Sequence, residues 1–154
     1  MRIVLPPLPL RGGCQCGRVR YEVRAAPFTL YACHCKECQR QSASAFGMSL
    51  RVPRDSVRRR GPIRVARRAD ADAPPVRGLY CEYCGVRVIH DRAGRDTVNM
   101  KAGSLDDTSW LRPVGHIWTR SAQPWSRPAS GPLVYEGQPS SYGALIEAWT
   151  DATR

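Results

Sequence analysis

Lysine is nearly absent from this 154-residue chain: Lys36 and Lys101 are the only two. Acids are also scarce, with 13 Asp and Glu against 24 Lys and Arg, for a formal net charge of +11. The positive charge is therefore almost all guanidinium, which suits bidentate pairing with carboxylates and phosphates. Charge alone admits a small anionic ligand or a nucleic acid, and it equally describes a solvated arginine surface. No apolar run is long enough to span a membrane. Met1–Leu10 is apolar, but Pro6, Pro7 and Pro9 interrupt it and no small-residue cleavage site follows, so no signal peptide is expected. Internal repeats and a second domain are also lacking. The expectation is one cytoplasmic domain over residues 1–154, long enough to bury a core.

Cysteine is the exception to this plainness. All seven fall in C-x-C or C-x-x-C spacing: Cys14 and Cys16, then Cys33, Cys35 and Cys38, then Cys81 and Cys84. An odd count leaves one thiol over in any disulfide framework, and C-x-C closes a strained ring. Thiolate–metal bonds in a reducing compartment fit better. Seven thiolates on two Zn²⁺ would bring the net charge to +8, still strongly basic.

The rest of the chain reads as a β scaffold. Val19, Tyr21 and Val23 alternate with charged residues, predicting a half-buried strand. Thr29–Ala32 predicts a second strand that runs into the central cysteines. Cys38–Ser44 predicts one or two helical turns, and Phe46–Val52 a strand ended by Pro53. Ile63–Ala66 is a weaker strand candidate. Arg67–Arg77, rich in Arg, Ala, Asp and Pro without apolar period, is expected to be a mobile, solvated loop. Val86–His90 and Thr97–Lys101 predict a hairpin around Ala93-Gly94, and Leu105-Asp106-Asp107 a turn or helix start. Gly115–Trp118, Pro124-Trp125 and Leu133–Tyr135 are short apolar pieces in a coil-rich segment. Tyr142, Leu145, Ile146 and Trp149 follow helical spacing, so Ser141–Thr150 predicts an amphipathic C-terminal helix capped by a serine.

Seven ligands divide as four plus three. A structural zinc takes four protein ligands, and a catalytic one keeps three and leaves a position for water or substrate. Two-residue clusters combine in pairs, so Cys14, Cys16, Cys81 and Cys84 are assigned the closed site, with a bend at Gly13 or Gly17 turning the first pair onto one ion. Cys33, Cys35 and Cys38 are assigned a second, open zinc. The alternative is a histidine closing that site. His34 alternates away from its cysteine neighbours, while His90 and His116 sit in apolar strand contexts that read as packed core.

The motifs Gly12-Gly13-Cys14-Gln15-Cys16-Gly17-Arg18-Val19-Arg20-Tyr21, Cys33-His34-Cys35-Lys36-Glu37-Cys38-Gln39-Arg40 and Tyr80-Cys81-Glu82-Tyr83-Cys84-Gly85 together resemble the glutathione-dependent formaldehyde-activating family, or CENP-V/GFA domain. Gly103–Asp107, His116–Trp118 and Pro124-Trp125 are similar to its C-terminal landmarks, so the resemblance runs from about Gly12 to Tyr135. It implies a mainly β, Mss4-like fold around two zincs, with Cys14, Cys16, Cys81 and Cys84 structural and Cys33, Cys35 and Cys38 catalytic through the open zinc. It also implies glutathione or another small thiol, and a small aldehyde, as ligands. The implied activity is condensation of formaldehyde with glutathione to S-(hydroxymethyl)glutathione, a carbon–sulfur lyase reaction in reverse. The chain departs from the family in the long, charged Arg67–Arg77 and in Gln39-Arg40-Gln41, which replaces a double arginine.

Two functional classes follow: a zinc-dependent carbon–sulfur lyase, or a non-catalytic zinc-held thiol carrier or interaction module. Arg40 is the candidate for pairing with a glutathione carboxylate. Asp106 and Asp107 are acids by residue type, read as turn residues. Nucleic acid is disfavoured, because the aromatics are not interleaved with the arginines. Trp110, Trp118, Trp125 and Trp149 are assigned to the core.

Overall fold

The computed structural model describes residues 2–70, 73–128 and 132–154. It is mainly β, as expected, and divides into two compact units. One comprises Pro6–Pro27 and Arg51–Ser109, and the other Met1–Leu5, Phe28–Leu50 and Trp110–Arg154.

In the first unit, β1 (Leu10–Gly13), β2 (Arg20–Val23) and β5 (Val57–Arg60) form an antiparallel sheet in the order β1-β2-β5. The alternation seen in the sequence holds: Val19, Tyr21 and Val23 are buried, while Arg20 and Glu22 are half-exposed. The Tyr21 hydroxyl meets Ser104 Oγ at 2.8 Å, so the one polar atom on the buried side has a partner. The same unit holds an antiparallel meander of β6 (Ile63–Asp70), β7 (Ala73–Cys81), β8 (Arg87–Arg92) and β9 (Thr97–Lys101). The predicted β8–β9 hairpin is present, pairing Ile89 with Met100.

Arg67–Arg77 is not a loop. Arg67–Asp70 belong to β6 and Ala73–Arg77 to β7, with Arg67 paired to Arg77 and Arg68 to Val76, and Ala71–Asp72 lie outside the described residues. The apolar period is missing because β6 is an edge strand: Arg64, Val65 and Arg67 are all exposed. Charge on an edge also opposes pairing with other chains. Pro74 and Pro75 fall where the β6–β7 register shifts and before β7 meets β8 at Val76, so no ladder N–H is needed from them. Inside this unit Asp91 is buried between Arg54 (2.5 Å) and Arg77.

In the second unit, β3 (Thr29–Cys33) is buried at every residue. It pairs in parallel with β10 (Gly115–Ile117), and β10 in parallel with β11 (Leu133–Val134). Helix α1 (Lys36–Ser42) follows β3 directly, and β4 (Gly47–Pro53) begins in this unit. Helix α2 runs over Gly143–Thr153. Its Leu145 and Trp149 are buried, and Thr29 Oγ1 donates to the Leu145 carbonyl at 3.0 Å. The serine cap is displaced: Tyr142 holds the N-cap position, and Ser141 Oγ instead accepts from Gly143 N at 3.0 Å. Trp110 packs beside Trp149 with ring centroids 6.3 Å apart. Trp125, however, is 77% exposed rather than core, because it sits in a single 3₁₀ turn, Pro124–Ser126, with no buried residue.

Candidate metal centres

The first unit gathers Cys14, Cys16, Cys81 and Cys84, whose sulfurs all lie within 4.8 Å of one another. Two similar turns present them. Gly17 N donates to the Cys14 carbonyl at 3.1 Å, and Gly85 N to the Cys81 carbonyl at 3.0 Å. Both glycines are left-handed, φ +78° and +73°, a conformation that side chains resist. The bend expected at Gly13 or Gly17 is thus found at Gly17. Cys14 N is tied to the Val19 carbonyl and Cys81 N to the Val86 carbonyl, at 3.0 and 2.9 Å, so each turn closes onto its own strand.

The sulfur spacing fits one ion. Cys14 and Cys16 are 3.4 Å apart, Cys16 and Cys81 3.7 Å. A tetrahedron with metal–sulfur bonds of ~2.3 Å has edges of ~3.8 Å, whereas a disulfide needs ~2.05 Å. The electrostatics ask for a cation. The Val86 N–H leads the causes that hold Cys84 down at about 6. At Cys16 the Arg18 N–H favours the thiolate, but desolvation and the sulfurs of Cys14, Cys81 and Cys84 oppose it and push it up to about 11. Four such anions side by side require a compensating positive charge.

The second unit gathers Cys33, Cys35 and Cys38, again within 4.8 Å. Cys33 ends β3 and is buried; Cys35 is the N-cap of α1, its sulfur accepting from Cys38 N at 3.4 Å; Cys38 lies in the first turn. The strand-to-helix junction thus brings three sulfurs together without long-range help. Hydrogen bonds from Cys33 and Cys38 hold the Cys35 thiol down at about 2, and the same contacts push Cys33 well up. One thiolate is favoured at the expense of its neighbours, so a cation is needed to keep all three deprotonated.

Among the described residues no fourth His, Cys, Asp or Glu joins these three. His34 is fully buried and turned aside. Its Nε2 lies 2.8 Å from His116 Nδ1, the two rings stack at 5.1 Å, and Phe46 packs at 5.2 Å. The register pairs Ala32 with His116 and Cys33 with Ile117, which puts the histidines on the opposite face from Cys33. Burial, with His116 adding to it, depresses His34 to about 4. His90 is engaged by Arg87 Nη2 at 3.0 Å and belongs to neither cluster.

The other candidates are occupied elsewhere. Arg40 pairs with Glu37 on the same helix at 2.9 Å and is exposed. Asp106 accepts a two-pronged ion pair from Arg20, which holds its carboxyl below the usual range. Asp107 accepts from Ser109 N at 2.9 Å and from its hydroxyl, the turn expected of it.

Sequence reasoning missed the wall of the three-cysteine cluster. Tyr31, Cys33, Ile117 and Leu145 form a buried cluster, against which Cys35, Cys38, Trp118, Tyr135 and Tyr142 all pack. Trp118 Nε1 donates to Gln138 Oε1 at 3.3 Å, and Gln138 Nε2 to the Tyr142 hydroxyl at 3.0 Å. The Tyr142 and Tyr31 rings lie 5.4 Å apart. These contacts join segments far apart in the chain, so no local pattern announces them. The nearest signal was Gly115–Trp118, an apolar piece inside a coil-rich segment.

No curated protein matches the chain. A crystal structure of a Rhodobacter sphaeroides protein from a structural genomics programme is similar in fold, with a TM-score of 0.52 at 16% identity, covering 82% of this chain and 99% of that one. The profile of the family described as glutathione-dependent formaldehyde-activating enzyme matches residues 9–121, a span that contains all seven cysteines. The chain therefore belongs to the glutathione-dependent formaldehyde-activating family.

Proposed function

We propose that this protein is a zinc-dependent carbon–sulfur lyase-type enzyme that forms or splits the adduct of glutathione, or a related small thiol, with formaldehyde or a related aldehyde. The observation that carries this reading is the second cluster: three sulfurs converge and, among the described residues, no fourth His, Cys, Asp or Glu joins them. Cys33, Cys35 and Cys38 would hold one Zn²⁺, and Cys14, Cys16, Cys81 and Cys84 a second, structural one. The ion on three cysteines would supply a coordinated, deprotonated thiol at neutral pH.

The chain's own residues do the rest. Cys35, held by the N–H of Cys38, fixes the ligand set at the start of α1. Tyr31, Ile117 and Leu145 back the cluster with buried surface that keeps water from one side. In the forward direction the thiol sulfur bonds to the aldehyde carbon, the C=O π pair moves to oxygen, and the thiol's proton ends on the new hydroxyl. Since the uncatalysed addition breaks no difficult bond, positioning and a thiolate suffice. Metal-bound thiolates favour a reducing compartment such as the cytoplasm.

The test is NMR exchange between formaldehyde, glutathione and their adduct, with and without zinc-loaded protein, using Cys35→Ala as control. Acceleration that disappears in Cys35→Ala supports the enzyme. Glutathione binding without acceleration would instead make the protein a thiol carrier.

A further inference from the structure

Arg120 stands out among the arginines of the unit that holds the three cysteines. Its guanidinium carbon lies over the Trp118 ring, 4.8 Å from the centroid, and it has no carboxylate partner among the described residues. Trp118 packs against the same buried cluster as Cys35 and Cys38. The backbone there is unusual: Trp118 is left-handed, φ 60° and ψ 35°, one of two non-glycine residues with positive φ among the described residues. That conformation is strained for a residue with a side chain and persists only where surrounding contacts enforce it.

The enforcing contacts are present. Trp118, Thr119 and Arg120 donate their N–H groups to the carbonyls of Gly137, Tyr135 and Glu136 at 3.1, 3.1 and 3.3 Å. The indole is fixed by Gln138, itself bonded to Tyr142. Gln39, beside Cys38, donates its amide to the carbonyls of His34 (2.7 Å) and Ser121 (2.8 Å). The turn carrying Arg120 is thus bolted to the segment carrying the cysteines. A guanidinium held over an aromatic ring keeps N–H groups free for a planar anion.

We propose that Arg120, oriented by Trp118, binds a carboxylate of the thiol that reaches the three-cysteine site, and so selects anionic, peptide-like thiols over neutral ones. This rests on the thiol reading above and assigns it a recognition residue, in place of Arg40.

The experiment titrates zinc-loaded full-length protein, by calorimetry, with glutathione, glutathione diethyl ester and 2-mercaptoethanol. The ester keeps the thiol and masks both carboxylates. Wild type should bind glutathione about tenfold more tightly than the ester, the range of one charged hydrogen-bonding contact. Arg120→Gln should abolish that preference and leave the ester and 2-mercaptoethanol unchanged, and Arg120→Lys should keep part of it. A preference retained in Arg120→Gln, or an equal loss for all three ligands, overturns the carboxylate role while the thiol reading stands. Failure of every thiol to bind wild type overturns the thiol reading and the anchor with it.

Discussion

Four sulfurs held between two glycine-terminated turns, at Cys14 and Cys81, can be set beside three held where β3 runs into α1. The four-sulfur cluster joins parts of the chain 65 residues apart, as the Cys16–Cys81 contact shows. Beside the sulfurs, Arg18 of the first turn rests on the Tyr83 ring of the second. The three-sulfur cluster spans only Cys33 to Cys38 and is backed by buried Tyr31, Ile117 and Leu145. A metal in the first place closes a long loop, and in the second it closes almost none. On the proposed reading, the same ligand type would serve stability in one region and leave the other, already packed, available for a ligand.

The severest way to break this comparison is Cys81→Ala. Structural zinc in zinc-finger peptides is worth about 10–16 kcal/mol, comparable to a domain's whole net stability of about 5–15 kcal/mol. We expect loss of one bound metal and of a cooperative thermal transition; a stable variant retaining two metals would contradict the four-plus-three division.

Next is Asp91→Asn, which removes the carboxylate between Arg54 and Arg77. Both arginines are partly exposed, so the cost falls below that of a fully buried pair, at about 2 kcal/mol in urea unfolding. Burial opposes the charged form of Asp91, but the two arginines outweigh it and hold its carboxyl below the usual value. A lowered folded pKa means that this contribution is present above about pH 3.9 and is lost as pH falls through the folded value. The wild type should thus lose the advantage over Asp91→Asn in acid.

Cys35→Ala should matter far less to folding, within about 1 kcal/mol, yet lose one equivalent of metal and all thiol binding. If it melts like Cys81→Ala, the two clusters are not different in kind. The smallest effect is expected from Arg40→Gln: Arg40 is spoken for by Glu37, so glutathione affinity should change less than twofold.

Much of this was legible beforehand, because local rules governed it. Seven cysteines in short spacings announce clusters able to hold a metal whatever the fold. The alternation of Val19, Tyr21 and Val23 announces a one-sided strand, and that of Leu145 and Trp149 a one-sided helix. Arg67–Arg77 was misread for a physical reason: an edge strand wet on both sides has no period, and only its β7 partner makes it a strand. Arg18, resting 3.8 Å from the Tyr83 ring centroid, is another pairing that sequence separation concealed.

The sequence by itself determined which cysteines could hold a metal and how they group, since thiol spacing and glycine placement act over a few residues. Only the tertiary structure decided what faces the three-cysteine cluster. The parallel pairing of β3 with β10 sends the His34–His116 pair to the far face, and the left-handed turn at Trp118, just past the end of β10, packs the indole against the cluster of Cys33 and Ile117, with Arg120 upon it. Side-chain direction in a sheet is set by register, and register between strands over 80 residues apart is a property of the folded core.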